Sequence, residues 1–236
     1  MHIKNRKKLA IRSRVTIAVL AVVFLIGSTA ALAYWRYVFP TGRIMPGLYA
    51  IRTHNNGMPM GNLFLLQIDD SDYYIAIDAG GDTAETETGL LKLGISSENV
   101  AAVFITHSHW DHIGGLNLFD NAIIYTGTTA NSEFPDIPHH VLANGEVIEF
   151  SGMSVQCIYT PGHTIDHVCY LVNGEMLFAG DLFITTNDSP FEQRYDKDMQ
   201  LEYREVVLGL DGVDHVFTGH FGLFKNAGFY RWWYLD

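Results

Sequence analysis

Short apolar runs separated by turn residues recur along this chain, and they predict strands more often than helices. Arg43–Arg52, Asn62–Ile68 and Tyr73–Ile77 read as strands, with Thr53–Gly61 joining the first two. Val100–Ile105 is almost wholly apolar, as expected of a strand buried on both faces. Ala122–Tyr125, Val147–Phe150, Val155–Tyr159, Val168–Val172, Met176–Ala179 and Val213–Thr218 follow. Asn173-Gly174 marks a tight hairpin between two of these. Helical spacing is confined to Thr83–Leu93, which ends at Gly94, to Lys197–Leu210, and to a start at Gly114–Phe119. The pattern predicts two sheets packed inside two helical layers.

The first 35 residues differ. Lys4, Arg6, Lys7, Lys8, Arg12 and Arg14 crowd residues 1–14, with no acid among them. Val15–Ala33 is then uncharged and apolar for 19 residues. At ~1.5 Å rise per residue this nearly spans a ~30 Å hydrocarbon core. Tyr34, Trp35 and Tyr37 suit the membrane interface. Residues 15–35 are expected to be a transmembrane signal anchor, with 1–14 cytoplasmic and the domain at 43–236 outside the cytosol. Ala31-Leu32-Ala33 also fits a signal-peptide cleavage site, which would release a secreted form. The length of the run favours the anchor.

Charge narrows the partners. Of 15 Lys and Arg, six lie in that basic flank, leaving nine against 26 Asp and Glu, a net of −17. Such a surface repels phosphate backbones, so a small-molecule substrate is expected and a nucleic acid is not. The only cysteines are Cys157 and Cys169, on two strands that could pair. Either a disulfide or two buried free thiols fits.

The candidate chemistry begins at Thr106-His107-Ser108-His109-Trp110-Asp111-His112-Ile113-Gly114-Gly115, straight after an apolar strand. A polar loop would explain one histidine, but not four chelators at this spacing. His107 and His109, two apart on a loop, can be aimed at one ion. Asp111 and His112 follow where the chain turns, which suggests a second ion beside the first. Three more strands end on ligand-type residues, in Thr160-Pro161-Gly162-His163-Thr164, Gly180-Asp181 and Gly219-His220. Strand ends are where layered α/β proteins collect such groups.

These segments, with Phe178-Ala179-Gly180-Asp181 and the turn Asp78-Ala79-Gly80, resemble those of the metallo-β-lactamase-fold hydrolases in order and separation. The resemblance covers roughly residues 44 to 221. It implies a four-layer αββα sandwich. It also implies one ion on His107, His109 and His163, another on Asp111, His112 and His220, and Asp181 bridging both. Zinc is the expected metal, two ions per chain, with iron or manganese as alternatives. The chain departs from the family at Ile165, Asp166 and His167, of which the last two are expected to cap a turn and face water, with a contact to a ligand histidine as the alternative.

The expected reaction is hydrolysis of an ester, thioester, lactone or lactam by a hydroxide held between the metals, with Asp111 and Asp181 as the catalytic carboxylates. The first motif resembles that of glyoxalase-type thioesterases. Only 16 residues follow His220, so the helical glutathione-binding domain of those enzymes is not expected. Two alternatives stand beside this. One is an iron-dependent sulfur dioxygenase-type oxidoreductase, although diiron electron-transfer relatives carry an acid where His109 stands. The other is a non-catalytic membrane-anchored binding domain. Three segments outside the metal set are candidates for shaping a pocket. They are Thr53–Gly61 as a flap tipped by Met58 and Met60, Phe183–Gln200 with Phe191, Arg194 and Tyr195, and the aromatic stretch Phe221–Asp236.

Overall fold

The computed structural model describes residues 41–55, 58–127, 134, 136–184, 196–220 and 223–225. The expected membrane segment, Phe191, Arg194 and Tyr195 with their neighbours, and nearly all of the C-terminal aromatic stretch lie outside the described residues. Among the described residues no helix is long and apolar enough to cross a membrane.

A seven-stranded sheet takes the order β1 (Gly42–Met45), β2 (Leu48–Asn55), β3 (Met58–Gln67), β4 (Tyr74–Ile77), β5 (Val100–Ile105), β6 (Ile123–Thr126), β7 (His140–Val141). Its first four strands are antiparallel and its last four parallel. A six-stranded sheet has the order β13 (Leu223–Lys225), β12 (His215–Phe217), β11 (Met176–Phe178), β10 (Val168–Val172), β9 (Met153–Tyr159), β8 (Val147–Phe150). All its pairs are antiparallel except β11 with β12.

The two sheets share one apolar core. Phe64, Ile77 and Phe104 from the first meet Val155, Tyr170, Phe178 and Phe217 from the second. Phe178 and Phe217 stack at 4.7 Å, and Phe64 meets Phe178 edge-on at 5.3 Å. The outer face of the first sheet packs Ile51, Leu63, Leu65 and Val103 against Leu90 of helix α1 (Thr83–Leu93). Asp82 caps that helix by accepting from Glu85 N at 2.9 Å, and Gly94 ends it at φ 70°. The outer face of the second sheet is also buried, at Cys169, Leu171, Leu177 and Val216. Helix α3 (Lys197–Leu208) is tied to the turn after β11, where Arg204 donates to Leu182 O. The mixed-sheet α/β sandwich is therefore as expected.

Several local expectations change. The strand expected over Arg43–Arg52 is broken at Pro46-Gly47, where Gly47 turns the chain at φ 75°. Thr53–Gly61 is the end of a hairpin, because β2 and β3 pair as far as Asn55 with Met58. Within it Met60 is buried, and the Thr53 hydroxyl donates to Gly61 O and accepts from Gly81 N. The helix expected from Gly114 begins earlier, as the short α2 (Trp110–Ile113), and a 3₁₀ turn follows at Leu116–Leu118. The two glycines between them press against neighbouring backbone: a Cβ on Gly114 would lie 2.5 Å from Gly81 O, and one on Gly115 2.3 Å from Ala79 O. Cys157 and Cys169 are free thiols. Cys157 stands opposite Tyr170 and Cys169 opposite Ile158, so alternation along the strands sends the two to opposite faces of the sheet.

Gly89 lets α1 lie close on β2, since a Cβ there would come within 2.3 Å of Ile51 Cγ2. On an open helix Gly→Ala gains about 1 kcal/mol. Here Gly89→Ala is expected to destabilise by about 1–2 kcal/mol, because overpacking outweighs propensity. Urea unfolding midpoints of the two proteins check the sign.

Candidate metal centre

Strand direction assembles the site. Within the six-stranded sheet β9, β11 and β12 all run the same way, since two antiparallel steps separate β9 from β11 and β12 is parallel to β11. Their C-terminal ends therefore lie on one side, and they release His163, Asp181 and His220 there. On the first sheet β5 delivers His107 and His109 on a loop, and α2 then carries Asp111 and His112. Backbone bonds lock the strand ends together. Asn62 N donates to Gly219 O at 2.7 Å, Gly219 N to Gly180 O at 2.7 Å, and Val168 N to Thr106 O at 2.8 Å.

The seven side chains form two adjoining groups. His107, His109, His163 and Asp181 present ligand-type atoms within 4.8 Å of one another, and so do Asp111, His112 and His220. In the first group His109 Nδ1 lies 3.0 Å from both His107 Nε2 and His163 Nε2. In the second, His220 Nε2 lies 3.2 Å from Asp111 Oδ2. Asp181 stands between them. Its Oδ2 is 3.3 Å from His163 Nε2 and 3.4 Å from His220 Nε2, and its Oδ1 is 3.4 Å from His112 Nε2. The structure thus brings together the side chains that the family resemblance assigned to each ion.

The donor set fits transition-metal cations. His112 Nε2 and Asp181 Oδ1 are buried without a hydrogen-bond partner. Three imidazole nitrogens converge within one group, where lone pairs repel unless a proton or cation lies among them. Nitrogen and carboxylate oxygen in sets of three or four suit zinc.

The electrostatics favour a cation too. Burial, then the neighbouring His112, keeps His107 well below the ordinary imidazole range. Burial and His163 bring His109 down to about 4. Both rings are thus neutral at pH 7, with lone pairs to offer. Burial works against ionisation of Asp181, but His220 and His112 outweigh it and hold the carboxyl well below its usual range. Burial also opposes the charged form of His220, yet Asp181 and Asp111 lift that group to about 9. Metal binding there must displace a proton.

A buried surround holds these groups, and sequence reasoning missed most of it. Asp78, at φ 59°, lies 2.7 Å from His112 Nδ1 and accepts from Thr106 N at 2.8 Å and from the Thr106 hydroxyl. Only the Asp78-Ala79-Gly80 turn after a strand pointed to it. Gln200 and Arg204, read as part of an amphipathic helix, turn inward. Gln200 Nε2 donates to Asp181 O at 3.1 Å and Leu182 O at 2.8 Å, and Arg204 Nε to Leu182 O at 2.7 Å.

Asp166 and His167 do not cap a water-facing turn. They are 5% and 0% exposed. Asp166 accepts from Ser108 N at 3.0 Å and from the Ser108 hydroxyl, tying the two histidine loops together. The His167 ring stands 5.3 Å from that of His107, and burial followed by His163 brings its pKa down to about 3. Gly219 is required for space: a Cβ there would lie 2.3 Å from Asp181 Oδ1.

The chain is similar to several known proteins. Residues 57–220 match the family described as Metallo-beta-lactamase superfamily. A hydroxyacylglutathione hydrolase of Thiobacillus denitrificans is 39% identical over 116 residues, which are 48% of this chain and 43% of that protein. An atrochrysone carboxyl ACP thioesterase of Aspergillus fumigatus is 31% identical over 133 residues, 51% of this chain and 42% of the relative. The chain thus spans less than half the length of these two relatives. A B3 metallo-beta-lactamase with an active-site glutamic acid superposes with a TM-score of 0.62 at 17% identity, over 85% of this chain and 88% of that one, a likeness of fold.

Two ions per chain are expected by elemental analysis of protein purified without chelator. His220→Ala should retain one, because the His107, His109, His163 group is intact. Asp181→Asn should cost more metal than Asp166→Asn, since only Asp181 faces both groups. Metal content near zero in the parent chain, or two ions in His220→Ala, would contradict the assignment.

Proposed function

The chain belongs to the metallo-beta-lactamase superfamily, and on that premise we propose that it is a metal-dependent hydrolase of thioesters. One observation carries the reading: seven chelating side chains form two adjoining groups with the buried Asp181 between them. His107, His109 and His163 would hold one cation and Asp111, His112 and His220 the other, with Asp181 facing both. Cations bound there would polarise a carbonyl oxygen and make a water acidic enough to attack it near neutral pH.

The protein's own groups do the rest. Asp111, partly exposed and anchored by His220, is placed to orient the attacking water by accepting its hydrogen bond. Asp78 and Thr106 hold the His112 and His107 rings from behind, with Thr106 Oγ1 3.1 Å from His107 Nδ1. A thiolate leaving group suits the site. Thiols ionise near about pH 8.5, so the departing sulfur needs no general acid, whereas an amine does. The names of the two relatives, a hydroxyacylglutathione hydrolase and an ACP thioesterase, point to the same class.

Two apolar side chains stand exposed on the ligand loops, Trp110 at 52% and Ile165 at 74%. Trp110 adjoins His109, and Ile165 adjoins the Asp166 that is bonded to Ser108. On that adjacency to ligand-bearing loops, they are proposed to offer an acyl chain an apolar contact.

Zinc-loaded full-length chain is expected to hydrolyse acyl thioesters faster than lactones, β-lactams or phosphodiesters. A chelator should abolish the activity and added metal restore it. Thioester turnover no faster than in the chelated control would refute the proposal.

Across a series of acyl lengths, Trp110→Ser with Ile165→Ser should weaken the preference for longer chains. About 0.8 kcal/mol per buried methylene corresponds to roughly fourfold in kcat/KM for each one. An unchanged chain-length dependence would remove these two residues from substrate binding.

A further inference from the structure

We propose that His167 is a positioning residue that sets the Asp181 carboxylate between the two ligand groups through a hydrogen bond to the Asp181 main chain. The proposal rests on the metal-centre reading. His167 itself offers the centre no ligand atom, because its partners occupy both ring nitrogens.

Those partners determine the ring's tautomer. Nδ1 lies 3.1 Å from Thr160 O and 2.9 Å from Thr160 Oγ1. A carbonyl oxygen only accepts, so Nδ1 carries the proton. Nε2 lies 3.1 Å from Asp181 N, which only donates, so Nε2 is bare and accepts. The ring is wholly buried, and no water can replace either partner.

The same residue closes the loop that bears His163. Thr160 N donates to His167 O at 3.1 Å, so the loop begins and ends on this pair. His167 therefore reaches from the His163 loop to the start of the Asp181 turn. Gly180 leaves room for that contact: a Cβ there would come within 2.8 Å of His167 Nε2. Gln200 holds the carbonyl of Asp181 from the other side at 3.1 Å. With both its N–H and its C=O bonded to buried side chains, Asp181 has little freedom of main-chain rotation. The direction of its carboxylate follows.

Side-chain amides separate the two ring positions. A glutamine amide reaches the place of Nε2, and an asparagine amide the place of Nδ1. His167→Gln restores the acceptor for Asp181 N, while His167→Asn restores only the contact to Thr160. Cobalt(II) affinity and the visible spectrum of the cobalt-loaded full chain are the readouts.

His167→Asn is expected to bind cobalt about 10–100-fold more weakly with an altered spectrum. His167→Gln should keep most of the affinity and the parental spectrum. Parental affinity and spectrum in His167→Asn, or equal losses in both variants, would overturn the proposal. No cobalt binding by the parent chain would overturn the metal-centre reading itself and the proposal with it. A measurement on the unmutated chain keeps the test independent of variant folding. Long-range ¹H–¹⁵N correlation of the metal-free protein should show His167 protonated at Nδ1 alone, and a proton on Nε2 would refute the assignment.

Discussion

Everything at this site depends on one buried carboxylate. Asp181 is 3% exposed, and its two oxygens face four imidazoles from three segments of the chain. An ionised carboxylate in such a place costs several kcal/mol of desolvation unless positive charge or hydrogen bonds offset it. Two cations, held by the two groups of side chains that Asp181 faces, would offset it most fully. Because β9, β11 and β12 end on the same side, His163, Asp181 and His220 come to one place, where the segment after β5 meets them.

That requirement propagates outward. His112 is directed at Asp181 because Asp78 holds its other nitrogen, and Asp78 also accepts from Thr106 just before His107. A carboxylate, one nitrogen of an imidazole and a threonine hydroxyl are thereby bonded together in a buried place. Gly61 and Gly219 stand where a side chain would strike His112 or Asp181. Helix α3 contributes Gln200 and Arg204 to the carbonyls at Asp181 to Ile184, so the turn holding the central carboxylate is supported from outside the sheet. The fold and the centre share their supports.

Much of this was legible in the residues alone. The strands at Val100–Ile105 and Val168–Val172 and the helix at Thr83–Leu93 have the observed bounds, since local periodicity, caps and the Asn173-Gly174 turn all agree there. Legibility failed where contacts distant in sequence decide. Nothing in Thr53–Gly61 shows that Thr53 bonds Gly81 or that Met60 is buried. The early start of α2 at Trp110 and the break after it reflect the pressing of Gly114 and Gly115 on other backbone.

By itself the sequence pointed to seven candidate chelators and their order, and the short spacing of His107, His109, Asp111 and His112 separated the first pair from the second; the places of His163, Asp181 and His220 came from the family resemblance. It also determined that the remaining ligands sit at strand ends. The tertiary structure alone decided that Asp78, Asp166, His167, Gln200 and Arg204 belong to the same assembly. Each of these acts through a hydrogen bond to a partner remote in sequence. Asp166 and Ser108 are 58 residues apart and Asp78 and His112 are 34 apart, and no periodicity records such a pairing. Burial is what turns an ordinary polar residue into a support, and burial is a property of the packed sheets.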